Sequence, residues 1–481
     1  MLTELAAALR GRDSDRPAVI GRITRGELAL LSDRYAVALH HSGLSTGDTL
    51  GLAVRPGPRA LAVMLAAHRL GLRVAVLDPS AGPDVLVARL RLAAPALVVA
   101  DAAAQAAAGW AAPVARRAGL SLPRLRAIAP VVTVGRRLPG CAPSIRDRDG
   151  APPAAFDGDG DALVIFTSGT TSQPRAVVHT RASVAAGTRA VADLVRPAAG
   201  VPVVGGTLFV LVPALACGAP VALPARSPRR LARQISAVRP QATYLTPPQL
   251  RAALSAGARF TGSVYSGSAP VSATLLGRVV AAGAADAFGV YALTEIFPAA
   301  VVSAAEKTTF AGTGDLVGAP LPGVQASVDR HGVLRLAAPQ AADRYLGEDP
   351  FLTVDTGDVG HLVDGRIVLG GRAKDMILRG AENIYPGLYE PALHVPGVDL
   401  ALLVGVPAGD GDERLVAVVQ PRAGASARAV RAALDTPLRR MGAARPDAVL
   451  LADVPLTGRS RKPDRAAASA FAARYLEGVA P

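Results

Sequence analysis

Short apolar segments alternate with longer amphipathic ones along the first 150 residues. TLGLAVR is followed by PRALAVMLAAHRLGL, and then come RVAVLD, DVLVARLRLAAP and ALVVAD. The short segments have the length and apolar content of buried strands, whereas the longer ones repeat apolar residues at helical spacing. A strand–helix–strand–helix–strand series predicts a parallel sheet covered by helices. This alternation restricts the beginning of the chain to an α/β fold.

The alternation resumes after a connection at 136–160 that is rich in Pro, Gly and Asp. LVIF, RRLARQISAVRP, ATYLT, QLRAALSAG and SVYSGS form a second α/β series, and GVQASVD, GVLRLAA and GRIVLGG predict a small antiparallel, barrel-like sheet. The pattern of the last residues is that of a compact α+β unit. We therefore predict an N-terminal domain at 1–371, made of two α/β subdomains and a β-barrel-like subdomain, and a C-terminal domain at 372–481.

Lysine is nearly absent from a strongly basic chain. The 481 residues carry a formal net charge of +14, but only three of the 52 basic residues are lysines, at Lys307, Lys374 and Lys462. The arginines are scattered without a block of five or more like charges, so we interpret the charge as diffuse and expect no nucleic-acid partner. Such a field would still attract anionic small molecules.

The sequence predicts neither an exported protein nor one with a membrane-spanning helix. Cys141 and Cys217 are too few for a disulfide framework, and the first residues lack the apolar core of a signal peptide. An uncharged stretch at 197–225 is long enough to cross a bilayer, but prolines and glycines interrupt it, so we predict a buried helix at about 207–217. We expect a cytoplasmic monomer or homodimer without a membrane span.

A loop rich in Thr, Ser and Gly follows the strand LVIF in the segment LVIFTSGTTSQPRAVVHT at 163–180. Five successive residues offer hydroxyl and backbone N–H groups suited to phosphate oxygens: Thr167, Ser168, Gly169, Thr170 and Thr171. Arg175 would add a positive charge. The segment lacks the G-x-x-x-x-G-K-S/T pattern of P-loop NTPases, so it predicts a phosphate site of another type.

Five further motifs follow this loop: SVYSGSAP at 263–270, VYALTE at 290–295, VDTGDVG at 354–360, GRAKDMILRGAENIYP at 371–386 and LTGRSRKPDR at 456–465. In order and spacing, the motifs resemble those of the adenylate-forming superfamily, which includes acyl-CoA synthetases, aryl-CoA ligases, luciferases and amino-acid adenylation domains. The resemblance extends from about residue 5 to about residue 475. It implies that ATP and a carboxylic acid form an acyl-adenylate, from which a thiol takes the acyl group.

The resemblance also assigns the nucleotide contacts. It implies that the loop at 167–175 holds the β- and γ-phosphates of ATP, and that Asp358 and Arg372 bind the ribose hydroxyls. Tyr291 would stack on the adenine, because a flat aromatic face favours a flat partner. Three residues would pass along the edge of the base: Gly267, Ser268 and Ala269.

The catalytic roles follow from the same resemblance. Thr294 would contact the α-phosphate and the acyl carboxylate, Glu295 would bind Mg²⁺, and Lys462 would bridge the two reacting anions as a compact charge on a flexible stem. Lys374 matches the hinge position, near 372–375, about which a mobile C-terminal domain rotates. Rotation would bring another segment to the thiol-acceptor side: Gly380, Ala381 and Glu382. Lys307 matches no motif and is predicted to lie on the surface.

Four positions depart from the superfamily's common pattern. Ser172, Arg175 and Ala176 stand where the loop usually has Gly, Lys and Gly, and Ala292 stands where the YGxTE motif has Gly. Because Ser and Ala resist positive φ angles, these changes reduce backbone freedom and predict an ATP site that is slower or differently shaped. They also leave open the alternative of a degenerate, non-catalytic adenylate-binding homologue.

The absence of a carboxylate from part of the sequence narrows the class of acid that the protein is expected to activate. An α-ammonium group would need a carboxylate partner, and residues 198–215, where the superfamily places it, contain none, with Asp193 just upstream expected on a helix surface. The predicted pocket lining is apolar and small: Val203, Val204, Leu208, Val210, Leu211 and Ser266. We therefore expect a non-amino acid, fatty or aryl. The expected acceptor is coenzyme A, and the alternative is the phosphopantetheine of an acyl carrier protein.

Overall fold

The computed structural model describes residues 1–11, 13–78, 83–117, 122–145, 150–167, 175–379, 382–409, 412–458 and 461–478. Within these ranges the α-helices are α1 (Leu2–Ala8), α2 (Arg25–His41), α3 (Pro58–Arg69), α4 (Pro83–Ala93), α5 (Ala102–Ala108), α6 (Ala112–Arg117), α7 (Arg181–Val195), α8 (Leu208–Ala216), α9 (Pro228–Val238), α10 (Pro247–Ser255), α11 (Ala273–Ala281), α12 (Ala304–Thr309), α13 (Ala427–Arg439) and α14 (Arg465–Leu476).

The strands in the same ranges are β1 (Pro17–Val19), β2 (Ile23–Thr24), β3 (Thr49–Ala53), β4 (Arg73–Val76), β5 (Leu97–Asp101), β6 (Val131–Val134), β7 (Asp161–Phe166), β8 (Ala176–Thr180), β9 (Val203–Val204), β10 (Val221–Ala222), β11 (Ala242–Tyr244), β12 (Ser263–Ser266), β13 (Asp286–Tyr291), β14 (Ala300–Ser303), β15 (Asp315–Pro320), β16 (Gln325–Val328), β17 (Val333–Ala337), β18 (Arg344–Tyr345), β19 (Val354–Val363), β20 (Arg366–Arg372), β21 (Ile377–Arg379), β22 (Glu382–Ile384), β23 (Val398–Gly409), β24 (Asp412–Pro421), β25 (Ala448–Leu451), β26 (Leu456–Thr457) and β27 (Lys462–Pro463). Short 3₁₀ turns lie at Leu125–Ala127, Ala373–Asp375, Pro386–Leu388, Glu390–Leu393 and Gly442–Ala444.

The first sheet has seven strands in the order β18-β8-β7-β4-β3-β5-β6. The strands from β7 to β6 are parallel neighbours, whereas β8 and β18 join the sheet antiparallel. Strand β5 is buried along its whole length, as expected of a parallel strand with helices on both faces. The α/β fold predicted for the beginning of the chain is confirmed.

The second sheet has thirteen strands in the order β16-β17-β19-β20-β15-β14-β13-β12-β11-β9-β10-β1-β2. Strands β13, β12, β11, β9, β10 and β1 are parallel, and all pairs from β13 to β16 are antiparallel. The predicted antiparallel segments are therefore present. They extend the large sheet, because β15 pairs with β14 on one side and with β20 on the other, and among the described residues they do not close into a barrel, because β16 at the end of the order pairs with β17 alone.

The residues after 371 form a smaller α+β unit, in which β23 and β24 are antiparallel and β24 and β25 are parallel. Its three-stranded sheet β23-β24-β25 is covered by helices on both faces. Alternate residues of β23 separate between the faces: Leu403 packs in the cluster that contains Leu434 of α13, and Val404 packs in the cluster that contains Ala468 of α14. The division at 371/372 and the hinge remain predictions.

The uncharged stretch forms a buried helix, as predicted. Helix α8 spans Leu208–Ala216, and its side chains from Leu211 to Leu215 are buried. Pro213 lies inside the helix. No helix in the part of the chain that the structure describes is both long and apolar enough to cross a membrane.

Candidate active site

Three of the predicted nucleotide-binding residues form a connected cluster. The end of β13 supplies Tyr291, and the paired positions of β19 and β20 supply Asp358 and Arg372. The Tyr291 hydroxyl donates a hydrogen bond to Asp358 Oδ2 at 2.5 Å, and Arg372 Nε lies 2.7 Å from Asp358 Oδ1. Burial raises the pKa of Asp358, although the Arg372 guanidinium opposes the rise. Burial and the neighbouring carboxylate raise the pKa of Tyr291.

Lys462 lies beside this cluster even though about 90 residues separate it from Arg372 in sequence. It begins β27, where it pairs with Thr457 across a short hairpin. Much of the residue is exposed, yet its ammonium is close enough to Asp358, Arg372 and Lys374 to interact with their charges. Desolvation, followed by repulsion from Arg372, lowers the pKa of Lys462. The structure therefore brings the predicted catalytic lysine to the predicted ribose-binding residues.

The loop that carries Thr294 and Glu295 is fixed from three sides. His179 Nε2 lies 2.8 Å from the Thr294 carbonyl oxygen, and the Ala342 amide donates to the Glu295 carbonyl oxygen at 2.7 Å. The Tyr345 hydroxyl donates to Glu295 Oε1 at 2.9 Å. His179 is buried, and desolvation lowers its pKa, so its neutral ring packs beneath the loop and holds it in place.

Tyr345 also contacts the cation of the predicted phosphate loop. The Arg175 guanidinium carbon lies 4.9 Å from the centre of the Tyr345 ring, within the range of a cation–π interaction. Phe351 packs edge-on against the same ring, with the ring centres 4.9 Å apart. Burial and the nearby Glu295 carboxylate raise the pKa of Tyr345 to about 12. The phenol is therefore protonated at neutral pH and acts as the donor to Glu295.

The predicted adenine segment makes a close backbone approach. A Cβ atom added at Gly267 would lie 2.8 Å from the Val290 carbonyl oxygen, so only glycine fits there. Ser268 has a φ of +69°, a strained value for a residue with a side chain. Its hydroxyl lies 3.0 Å from the Tyr244 hydroxyl, which supports the turn. Ala269 follows in the same turn and is half-buried.

Part of the predicted site falls outside the described residues. This applies to Ser168, Gly169, Thr170, Thr171 and Ser172 of the phosphate loop, and to Gly380 and Ala381 of the thiol-acceptor side. Both ends of the loop are described: the Thr167 amide donates to the Arg175 carbonyl oxygen at 3.0 Å. On the acceptor side, the backbone of Glu382 begins β22.

Ala176 and Ala292, two of the four residues that depart from the superfamily pattern, occupy positions that do not require a positive φ angle. Ala176 begins β8 and pairs with Phe166, and neither Ala176 nor Ala292 belongs to the described non-glycine residues with positive φ. The expected loss of backbone freedom therefore costs nothing at these two positions.

The surroundings of Glu295 are better suited to Mg²⁺ that is bound jointly by the protein and a phosphate substrate than to a metal that is bound by protein side chains alone. No group of three or more His, Cys, Asp or Glu residues in the described ranges has a metal-binding arrangement. Proteins commonly bind Mg²⁺ through one or two carboxylates and the phosphates of a substrate. A single carboxylate, oriented by the same tyrosine that contacts the phosphate-loop cation, matches that donor set.

An apolar cavity lies between α7, α8 and the strands β9, β11, β12 and β13. The cavity has a volume of about 540 Å³ when its open mouth is included. Val203 and Val210 line it, as predicted, together with Val191, Ala242, Tyr244 and Tyr265. The other four predicted residues are not among those that line it: Val204, Leu208, Leu211 and Ser266. For Val204 the reason is the strand, because consecutive residues face opposite sides.

Lys307 is not a surface residue, contrary to the sequence-based expectation. Its side chain is only 7% exposed, and its Nζ lies 2.6 Å from Asp315 Oδ1. Helix α12 carries the lysine to the start of β15, where the carboxylate compensates its charge. Sequence reasoning also missed Tyr345, and it expected His179 to cap or pack beside the phosphate loop without identifying Thr294 as its partner, since no local pattern links these residues to Glu295 or Thr294.

Comparisons with known proteins identify the family of the chain. Residues 6–337 match the family of AMP-binding enzymes, so the chain belongs to that family and the predicted adenylate-forming resemblance is confirmed. The 2-succinylbenzoate–CoA ligase of Lactococcus lactis subsp. lactis (strain IL1403) is 37% identical over 125 residues, which is 24% of this chain and 27% of the ligase. The feruloyl-CoA synthase of Amycolatopsis sp is 34% identical over 176 residues, 33% of this chain and 35% of the synthase. The matched segments thus span about a third or less of these relatives.

Two solved structures share the fold over nearly the whole chain. The amide bond synthetase McbA from Marinactinospora thermotolerans has a TM-score of 0.78 at 21% identity and covers 98% of this chain and 99% of its own. The o-succinylbenzoate CoA synthetase MenE from Bacillus subtilis, in complex with the acyl-adenylate OSB-AMP, has a TM-score of 0.78 at 18% identity, with 96% and 97% covered.

Proposed function

We propose that this protein uses ATP and Mg²⁺ to activate a non-amino carboxylic acid, fatty or aryl, as an acyl-adenylate, and then transfers the acyl group to coenzyme A. The observation that carries the proposal is the convergence of Tyr291, Asp358, Arg372 and Lys462 at one place. A buried carboxylate with an aromatic neighbour suits a ribose and its base. A cation that reaches the same place suits a reaction between two anions.

Two residues that line the apolar cavity are neighbours of the predicted nucleotide-binding residues. Val290 lines the cavity and immediately precedes Tyr291, while Tyr244 lines it and contacts Ser268 of the adenine segment. Phe297, two residues after Glu295, lines it as well. An acid whose body fills the cavity would therefore present its carboxylate near the Thr294 loop.

The first half-reaction would join the acid to AMP. A carboxylate oxygen of the acid forms a bond to the α-phosphorus of ATP, and the bond from that phosphorus to the bridging oxygen breaks, so that pyrophosphate leaves. Two anions must approach each other, and catalysis of such a step depends mainly on positioning and charge neutralisation. The Lys462 ammonium and the Thr294 hydroxyl are the groups that would stabilise the reacting oxygens. Mg²⁺ held by Glu295 would neutralise phosphate charge.

The second half-reaction would break the mixed anhydride. The sulfur of the acceptor thiol forms a bond to the acyl carbonyl carbon, the thiol proton is released, and AMP leaves with the electron pair of the carbon–oxygen bond. Gly380, Ala381 and Glu382 are proposed to reach this site after rotation at Lys374. ATP, Mg²⁺ and coenzyme A are thus all required for a full cycle.

The residues of the cavity favour an acid without an α-amino group. An ammonium buried among apolar side chains would need a carboxylate partner, because an unpaired buried charge costs several kcal/mol. No carboxylate is among the described residues that line the cavity, and Asp193 is exposed on α7. Aliphatic and aromatic side chains line the cavity, which is compatible with both fatty and aryl acids.

A panel of acids tests the proposal. The protein is incubated with ATP, Mg²⁺ and each acid, and acid-dependent exchange of pyrophosphate into ATP is measured. Coenzyme A, a holo-carrier protein or an amine is then added, and the product is identified by mass spectrometry. Formation of an acyl-CoA supports the proposal. Exclusive loading of the carrier protein, or formation of an amide, would show that the acceptor is a carrier protein or an amine instead of coenzyme A. Absence of exchange across the whole panel would favour a non-catalytic adenylate binder and contradict the proposal.

A further inference from the structure

Opposite charges meet where the segment after residue 371 contacts α11. Asp399, near the start of β23, accepts a hydrogen bond from Arg278 Nη1 at 2.9 Å, and the two side chains are 14% and 22% exposed. Arg278 lies in the last turn of α11. One turn earlier, the Thr274 hydroxyl donates to the His394 carbonyl oxygen at 2.8 Å. One face of α11 therefore makes two polar contacts with the C-terminal segment.

Asp399 compensates more than one positive charge at this contact. Arg422 Nε lies 3.7 Å from Asp399 Oδ1. Arg251 of α10 interacts electrostatically with both Asp399 and Arg278. Burial lowers the pKa of Arg251; the Asp399 carboxylate opposes this decrease, and the Arg278 guanidinium adds to it. A single carboxylate thus lies among three guanidinium groups. If it lost its charge, Arg251 and Arg278 on one side would face Arg422 on the other without compensation.

Hydrogen bonds and apolar contacts connect the strand of Asp399 to the helix that follows Lys462. Arg465, three residues after Lys462, donates from Nη1 to the Leu403 carbonyl oxygen of β23 at 2.5 Å and to Glu390 Oε1 at 2.6 Å. Helix α14, which begins at Arg465, packs on β23 through buried apolar residues. Because β23 carries Asp399, a displacement at Asp399 moves the start of α14 and Lys462 with it.

We propose that Asp399 is a positioning residue whose pair with Arg278 holds the C-terminal segment in the arrangement that presents Lys462 for adenylation. When this pair is broken, the segment leaves that arrangement more readily and the thioester-forming half-reaction gains relative to adenylation. The inference rests on the proposed function, because it needs two half-reactions to compare. It adds a residue that contacts neither the acid nor the nucleotide and that sets the balance between the two half-reactions.

The expected effect follows from the populations of two arrangements. Loss of a charge-assisted hydrogen bond at a partly buried site changes an equilibrium constant by about tenfold. If the adenylation arrangement starts with an excess of about ten to one, the alternative rises from about one-tenth to about one-half of the molecules. Thioester formation would then increase about fivefold and adenylation would fall about twofold, so the ratio of the two rates rises about tenfold.

The experiment compares Asp399→Asn with the wild-type protein in the two half-reactions. Adenylation is followed by acid-dependent pyrophosphate exchange, and thioester formation is followed from preformed acyl-adenylate and coenzyme A. Arg278→Gln breaks the pair from the other side and must shift the ratio in the same direction. The matched control is Asp435→Asn, which removes the same charge from an exposed pair with Arg439 in α13 of the same segment.

A rise of more than threefold in the ratio of thioester formation to adenylation, relative to Asp435→Asn, supports the inference. A smaller change, including parallel loss of both rates, overturns it. Hydrogen exchange provides a readout without catalysis: both pair-breaking variants should expose amides of α11 and of the start of β23, and leave α13 unchanged. Unchanged exchange at α11 also overturns the inference. Absence of adenylation by the wild-type protein contradicts the proposed function, and hydrogen exchange then still decides whether the pair of Asp399 and Arg278 holds the C-terminal segment on α11.

Discussion

Tyr345→Phe is expected to slow adenylation through the orientation of Glu295. The substitution removes the hydroxyl that donates to Glu295 Oε1 at 2.9 Å, but it keeps the ring that packs against Arg175 and Phe351. A hydrogen bond to a charged acceptor contributes about 1.5–3 kcal/mol, and partial exposure of both groups reduces this to about 1–2 kcal/mol. The adenylation rate should therefore fall about five- to thirtyfold.

The assay measures acid-dependent pyrophosphate exchange over a range of Mg²⁺ concentrations. Because Glu295 would sample more orientations without Tyr345, half-maximal activity should need a higher Mg²⁺ concentration. Burial keeps the pKa of Tyr345 near 12, so the phenol stays protonated from about pH 6 to pH 9. The ratio of wild-type to variant rates should therefore be constant over that range.

Tyr345→Leu separates the two roles of the side chain. It removes the hydroxyl and also the cation–π contact with Arg175, which is worth about 0.5–1 kcal/mol more at an exposed site. The rate should fall a further two- to fivefold relative to Tyr345→Phe. A folded Tyr345→Phe protein with the wild-type rate and the wild-type Mg²⁺ dependence, or with a lower Mg²⁺ requirement, would refute the reasoning.

Three other substitutions test separate parts of the structure. Lys462→Ala should slow pyrophosphate exchange about 10²- to 10³-fold and spare thioester formation from preformed acyl-adenylate; equal losses in both would contradict its assigned role. Val210→Asp places a carboxylate in the apolar cavity and should raise KM for fatty or aryl acids at least about tenfold, and an unchanged KM would show that the acid binds elsewhere. Lys307→Met leaves Asp315 without its partner and should lower the free energy of unfolding by about 1–3 kcal/mol in a urea titration, whereas unchanged stability would mean that solvent compensates Asp315.

The motif residues are predicted from the sequence through the resemblance of the ordered motifs to those of the adenylate-forming superfamily, and the chemistry of an adenylate site is consistent with their residue types. A buried ribose partner requires a carboxylate such as Asp358, and a mobile cation between crowded oxyanions favours lysine at position 462. In a chain with only three lysines, two fall in superfamily motifs: Lys374 at the hinge position and Lys462 at the catalytic position. The same scarcity gave no information about Lys307, whose partner Asp315 lies in another element.

Residues that act through another residue could not be found in this way. Tyr345 reaches Glu295 because β18 pairs with β8, the strand that follows the phosphate loop. His179 reaches Thr294 across 115 residues. Neither pairing leaves a periodic or compositional signal, since a tyrosine and a histidine are equally compatible with ordinary core packing. The backbone cost expected at Ala292 was likewise a question of one φ angle, which the sequence does not contain.

The α/β class and the family could be predicted from the sequence, because apolar periodicity and the ordered motifs are properties of short segments. Tertiary packing, in contrast, extends the thirteen-stranded sheet with the antiparallel strands, turns Val203 rather than Val204 to the cavity, and brings Asp399 to Arg278. These outcomes depend on which strands and helices become neighbours. That choice is made by packing among segments far apart in the chain, where one residue of register changes which side chains meet.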